Sequence, residues 1–164
     1  MPDISSPPSS MTSPAITLIN NYRAVDGLLC TSGQPSVAQL HDIAAAGYSV
    51  VVNLALHDDL RYALPDERGL VQALGMDYLH IPVSFDSPSE ADLLAFFAAM
   101  RAYQGKKMWL HCAANKRVSS FLGLYRVIGL GWARGPAFAL MDGIWQPDEV
   151  WSSFIASMLD KQGC

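Results

Sequence analysis

The sequence predicts an α/β fold, three layers (αβα) around a central, mainly parallel sheet of four to five strands. Three observations carry that expectation. Short apolar runs alternate with helix-period patterns along the chain, the order of right-handed βαβ crossovers. Val50 to Leu54 is a continuous, largely β-branched run, as expected of a strand buried on both faces. The 164 residues, 51% hydrophobic and 16% charged, suit one domain. A chain of this size buries roughly 68–70% of its extended surface, enough for a core without staples.

The elements follow in order. Residues 1–14 hold five Ser and four Pro and read as a disordered tail, with too little apolar area to offset ordering entropy. Residues 15–164 then form a single domain. Ile16 to Ile19 and Leu28 to Thr31 read as short strands. Pro35 opens a helix through Ala46, with Gly47 as its stop. Val50 to Leu54 is the next strand, Pro65 to Leu74 a helix ended by Gly75, and Tyr78 to Val83 a strand. Ser87 to Tyr103 is a strong helix, with Glu90 and Asp92 in its first turn and Leu93, Phe96, Phe97 and Met100 as its stripe. Met108 to His111 is a strand, followed at once by Cys112 and a helix from Arg117 to Leu130. Two more helices cover Pro136 to Met141 and Pro147 to Leu159.

Composition removes several classes. Three Cys without regular spacing argue against a disulfide scaffold and for a reducing cytoplasm. The longest apolar stretches, such as Leu93 to Met100, are far below the ~20 residues of a bilayer span. No basic cluster and apolar run mark a signal peptide at the start. A net charge of −4 argues against nucleic acid as partner. The charge is unevenly spread, however. Residues 93–141 hold seven basic residues and no Asp or Glu, leaving four basic and all 15 acidic residues elsewhere. Such asymmetry sets a local positive field on an acidic protein.

The most informative stretch lies inside that segment: Trp109-Leu110-His111-Cys112-Ala113-Ala114-Asn115-Lys116-Arg117-Val118-Ser119-Ser120. It places a cysteine at a strand end, four loop residues, then an arginine opening a helix. In parallel sheets, ligands bind at that end of the strands. Ala113 and Ala114 let backbone approach a ligand, and Asn115 tolerates a left-handed conformation. Successive N–H groups in such a turn cup an anion, and the helix start adds its positive end. Arg117 offers a two-pronged hydrogen bond to an oxyanion. The same surroundings favour the thiolate of Cys112. A charged nucleophile facing a held oxyanion is what phosphoryl transfer through cysteine requires.

This strand-His-Cys-loop-Arg-helix pattern resembles the signature of cysteine-dependent protein tyrosine and dual-specificity phosphatases. The likeness is to a bacterial branch related to beta-lactamase-hydrolase-like phosphatase domains, whose loops read like His-Cys-Ala-Ala-Asn-x-Arg-Val-Ser. Thr31-Ser32-Gly33-Gln34-Pro35-Ser36, Val51-Val52-Asn53-Leu54 and His80-Ile81-Pro82-Val83 match as well, so the resemblance covers residues 28–126. It implies a phosphatase-like fold, Cys112 as nucleophile, Arg117 as phosphate ligand, and loop amides from Ala113, Ala114, Asn115, Lys116 and Arg117 as further donors. It also implies a phosphorylated protein or small phosphate ester as substrate, and inorganic phosphate or sulfate as loop ligands. The loop departs from the usual pattern by holding four rather than five residues between Cys112 and Arg117, and by Val118 after the arginine. Four is also the spacing of many rhodanese loops, which leaves a sulfurtransferase with a Cys112 persulfide as an alternative. A non-catalytic phosphate-binding module is another.

A leaving oxygen needs a proton. Asp86 follows a strand parallel to that of Cys112, 26 residues earlier, and is the expected general acid. Ser87 is an equal candidate for capping the following helix, which frees Asp86. Glu90 and Asp92 are rivals that the helix dipole explains. His111 is expected to support the loop backbone, and Ser119, ahead of Ser120, to stabilise the departing thiolate. His41, His57 and His80 lack ligand spacing, so neither metal nor cofactor is expected. His57-Asp58-Asp59 reads as a solvated loop, and Lys106 and Lys107 as solvent-facing. Cys30 reads as strand core and Cys164 as a frayed end. Trp132, Trp145 and Trp151 read as packing for the C-terminal helices. Gln34 is a candidate for the pocket rim.

Overall fold

The computed structural model describes residues 15–161; the Ser/Pro-rich tail and Cys164 lie outside the described residues. Five strands form one sheet: β1 Arg23–Asp26, β2 Leu29–Ser32, β3 Val50–Asn53, β4 Asp77–His80 and β5 Met108–His111. Their order is β1-β2-β5-β3-β4. β1 is antiparallel to β2, and every other pairing is parallel. The helices are α1 Val37–Ala45, α2 Glu67–Ala73, α3 Glu90–Ala102, α4 Lys116–Leu124, α5 Arg134–Ala137 and α6 Glu149–Lys161.

The continuous apolar strands are buried on both faces because each face has its own core. Val50 and Val52 of β3 and Leu110 of β5 meet Phe96 and Phe97 of α3, Phe121 and Leu122 of α4 and Trp151 of α6. Val51 and Trp109, one residue out of phase, meet Leu40 and Ile43 of α1 and Val71 of α2 on the opposite face. Cys30 belongs to this second core, its thiol 3.0 Å from the Tyr48 hydroxyl.

Local chemistry sets the boundaries. Ser36 and Gln39 form a reciprocal capping box at α1, and Gly47 stops that helix at φ +91°. Ser89, not Ser87, caps α3 by accepting from the Asp92 N–H. Ile16 to Ile19 is not a strand. Ile16–Leu18 is a 3₁₀ turn whose i, i+3 spacing puts Ile16 and Ile19 together against α1. The single helix expected over Arg117 to Leu130 is α4 followed by a wider π turn, Tyr125–Gly129. Lys107 does not face solvent: its ammonium donates to the Ala46 carbonyl at 2.8 Å and lies 4.4 Å from the Tyr48 ring centre. Trp132 is 41% exposed and stacks on Arg126 rather than packing in the core.

The register places the site. Ser32 of β2 and Asn53 of β3 both pair with His111 of β5. The three strands therefore end level, and the loops after them converge beside Cys112.

Candidate active site

The loop after β5 is shaped by what holds its carbonyls. The Ala113 carbonyl accepts from the Gln34 backbone N–H at 3.0 Å, and that of Ala114 from Asn21 Nδ2 at 2.9 Å. Both oxygens are thereby engaged on the β2 side. Gly33 and Ala114 form an isolated antiparallel bridge that ties the loop to the end of β2. Asn115 takes the left-handed conformation (φ +65°) that the turn demands. Its buried amide locks there, donating at 2.9 Å to both the Asn21 carbonyl and Thr31 Oγ1. Its side chain is thus a strut beneath the loop. Gly33 presses on the other side, where the loop backbone leaves no room for a Cβ.

Cys112 is buried at the base of a cavity of about 460 Å³, which Ala113, Ala114, Lys116, Arg117 and Asp86 also line. Arg117, on the first turn of α4, is 5% exposed. Its Nη1 donates to the Val83 carbonyl at 2.8 Å, while its buried Nε has no partner. An orphan guanidinium donor costs free energy unless something accepts from it. The Tyr62 and Phe85 rings flank that guanidinium, their centres 5.9 and 5.6 Å away. Lys116 lies over Phe85 and Trp145, at 5.9 and 5.5 Å.

Two aspartates reach the cavity. Asp86 is exposed, in a turn closed by the Ser87 N–H donating to the Ser84 carbonyl at 3.2 Å. Asp59, expected in a solvated loop, also lines the cavity. Hydrogen bonds from the Arg61 side chain and backbone hold its carboxyl down at about 2. Asp59 is thereby held in its ionised form.

Beneath the loop lies a pair that sequence reasoning missed. His111 Nε2 is 2.6 Å from Glu67 Oε2, and His111 Nδ1 is 3.2 Å from the Cys112 carbonyl. Gln34 lines an adjoining cavity with Ala113 and Tyr62, which also line that of Cys112, and its Nε2 donates to Glu67 Oε1 at 2.9 Å. Burial opposes charge on Glu67, yet the attraction and hydrogen bond of His111, with Gln34's amide, hold its carboxyl below the usual range. His111 thus supports the loop as expected, but through a carboxylate that nothing in the chain's pattern marks. The Ser119 and Ser120 hydroxyls both donate to the Lys116 carbonyl, at 3.2 and 2.8 Å, bracing the start of α4.

No family model matches the chain. In structure it superimposes with TM-score 0.80 on a DUF442 protein from Shewanella putrefaciens CN-32, described as a phosphatase. That protein is 32% identical over 92% of this chain and 98% of its own. The chain belongs to the DUF442 family. Within it, the fold is that of the protein tyrosine and dual-specificity phosphatases. The pTyr complex of P. aeruginosa TpbA shares that fold at TM-score 0.61 and 18% identity, covering 87% of this DUF442 chain and 95% of TpbA. A beta-lactamase hydrolase-like protein of Agrobacterium fabrum (strain C58 / ATCC 33970) is 34% identical over 92 residues. The match takes in 54% of the chain but spans only 21% of that relative's length. Among the described residues, no helix is long and apolar enough to cross a membrane.

Proposed function

We propose that this DUF442 chain hydrolyses phosphate monoesters through a cysteinyl-phosphate. Its substrate is a phosphorylated protein or a small phosphate ester. The Cys112 thiolate attacks phosphorus, the S–P bond forms, and the P–O bond to the leaving group breaks. Asp86 gives its proton to the departing oxygen. Water then attacks the phosphocysteine, passes a proton to the Asp86 carboxylate, and the S–P bond breaks to return thiolate and inorganic phosphate. Arg117 and the N–H groups of Ala113 to Arg117 hold the equatorial oxygens, as preorganised donors aimed at developing charge. His111 and Glu67 hold the loop beneath. Ser119 serves the departing thiolate once its hydroxyl turns away from the Lys116 carbonyl. A reactive thiol of this kind fits a reducing bacterial cytoplasm.

The observation that carries the reading is the convergence of Cys112, Arg117 and Asp86 on one cavity, with the Arg117 Nε buried and unpartnered. The Tyr62 and Phe85 rings near the guanidinium suit a flat aryl ester. The test is aryl-phosphate hydrolysis by the wild type and Cys112→Ser, with vanadate as inhibitor. Vanadate-sensitive turnover that vanishes in Cys112→Ser is expected. Turnover unchanged in Cys112→Ser rejects the mechanism. Thiosulfate-to-cyanide transfer without hydrolysis marks a sulfurtransferase instead, and phosphopeptide binding without turnover marks a binding module.

A further inference from the structure

We propose that Trp151, on α6, is a positioning residue for the general acid: its indole N–H pins the backbone of the turn that carries Asp86. The proposal rests on the reading of Cys112 and Asp86 given above. Trp151 is fully buried, and its Nε1 donates to the Phe85 carbonyl at 2.8 Å. Phe85 is the residue before Asp86, 66 positions from Trp151 in the chain. A buried indole N–H has no access to water, so the bond to that carbonyl is the one it must keep. The Phe85 ring is fixed by the same helix and the segment before it, with centres 5.9 Å from Trp151 and 5.6 Å from Trp145.

The turn is thereby held on both sides. Arg117 Nη1 clamps the Val83 carbonyl from the phosphate side, and Trp151 clamps Phe85 from α6. The Ser84–Ser87 bond closes the turn between them. Among the described residues, no hydrogen bond or ion pair in the structure is made by the Asp86 carboxylate itself. Its place is set by this backbone and by the attraction of the Arg61 guanidinium. An acid must come within about 2.6–3.2 Å of the leaving oxygen, so a peptide free to rotate at Phe85 removes it from reach. α6 itself is anchored at its start by the Trp151 N–H on Asp148 Oδ1, at 2.9 Å. The C-terminal helix is thus part of the proton-delivery apparatus, through one side chain.

The experiment measures kcat across aryl phosphates whose phenols run from strongly to weakly acidic. Wild type, Trp151→Phe, Asp86→Asn, the double variant and Cys112→Ser are compared. Trp151→Phe keeps an aromatic ring and loses the N–H. The expected result is about a tenfold loss on the weakly acidic phenols and under about twofold on the most acidic, because only poor leaving groups need the proton. In the Asp86→Asn background, Trp151→Phe is expected to cost nothing more. A loss equal across the series, no loss, or additive losses in the double variant overturn the proposal. Should Trp151→Phe fold poorly, benzothienylalanine at 151, installed by ligating the short C-terminal segment, removes only the N–H and carries the same expectations. Activity surviving in Cys112→Ser defeats the cysteinyl-phosphate reading itself. A leaving-group series in Asp86→Asn that matches wild type defeats the acid assignment and the Trp151 proposal together.

Discussion

A methyl group at Gly33 tests how tightly the anion loop is built. A Cβ there stands 2.5 Å from the Ala113 carbonyl oxygen, 2.7 Å from Asn20 Nδ2 and 3.2 Å from Ala114 Cα. The Asn20 amide ends an exposed side chain and can swing away. The Ala113 oxygen is backbone, tethered to the Gln34 N–H, and cannot move without the loop. Gly33 lies outside the left-handed region, so alanine meets no backbone strain and the effect is steric alone. Relief requires the loop to retreat by about 1 Å, and displacement of that order costs roughly 100-fold in rate. That factor is about 2.7 kcal/mol of transition-state stabilisation. Overpacking itself costs about 1–3 kcal/mol of stability, or roughly 2–4 °C in Tm for each kcal/mol. The assay is kcat/KM on an aryl phosphate, with vanadate inhibition and thermal unfolding on the same preparations. Gly27→Ala, where nothing lies within 4 Å, serves as the control and is expected to change neither. A Gly33→Ala enzyme within twofold of wild type refutes the claim that this contact sets the loop.

Arg117→Lys is expected to lower kcat/KM by about 10²–10³, the cost of losing an oxyanion donor, with weaker vanadate inhibition; an unchanged inhibition constant argues against phosphate binding by this side chain. Asp86→Asn is expected to lose about 100-fold on esters of weakly acidic phenols, while Asp59→Asn stays within about twofold, measured on the same substrate. Equal losses mean that Asp59 shares the role. Glu67→Gln is expected to destabilise the fold by about 3 kcal/mol at neutral pH, because it strips a buried ring of its charged partner. Since the folded state holds the Glu67 carboxyl below its usual range, its contribution is complete above that range and is lost as pH falls through the folded value. The acid decline of Tm is therefore shallower in Glu67→Gln, and parallel curves contradict the assignment.

What the sequence revealed and what it hid divide by range along the chain. β5, its loop and the start of α4 are legible because an apolar run, a small-residue turn and an arginine follow one another directly. The two-sided burial of Val50–Asn53 is legible because it needs no polar alternation. β1 escaped because Arg23–Asp26 is a half-exposed edge strand with a mixed pattern. Ile16 to Ile19 misled because four residues rich in isoleucine fit a strand as well as a 3₁₀ turn. The site divides the same way. Cys112, Arg117 and Asp86 announce themselves by type and position. Glu67 sits among Asp66 and Arg68 like any solvated helix start, and becomes intelligible only through His111, 44 positions away. Asp59 looks like part of a polar loop until the fold brings it to the cavity.

Turnover by this route attaches phosphate covalently to one sulfur. Mixing the enzyme with an aryl phosphate, quenching in denaturant within one turnover and locating the phosphoryl group by peptide mass spectrometry tests it directly. The group is expected on Cys112, accumulating to a fraction of the enzyme and absent from Cys112→Ser. A phosphoryl group on any other residue, or an unmodified Cys112 in an enzyme that turns over, contradicts it.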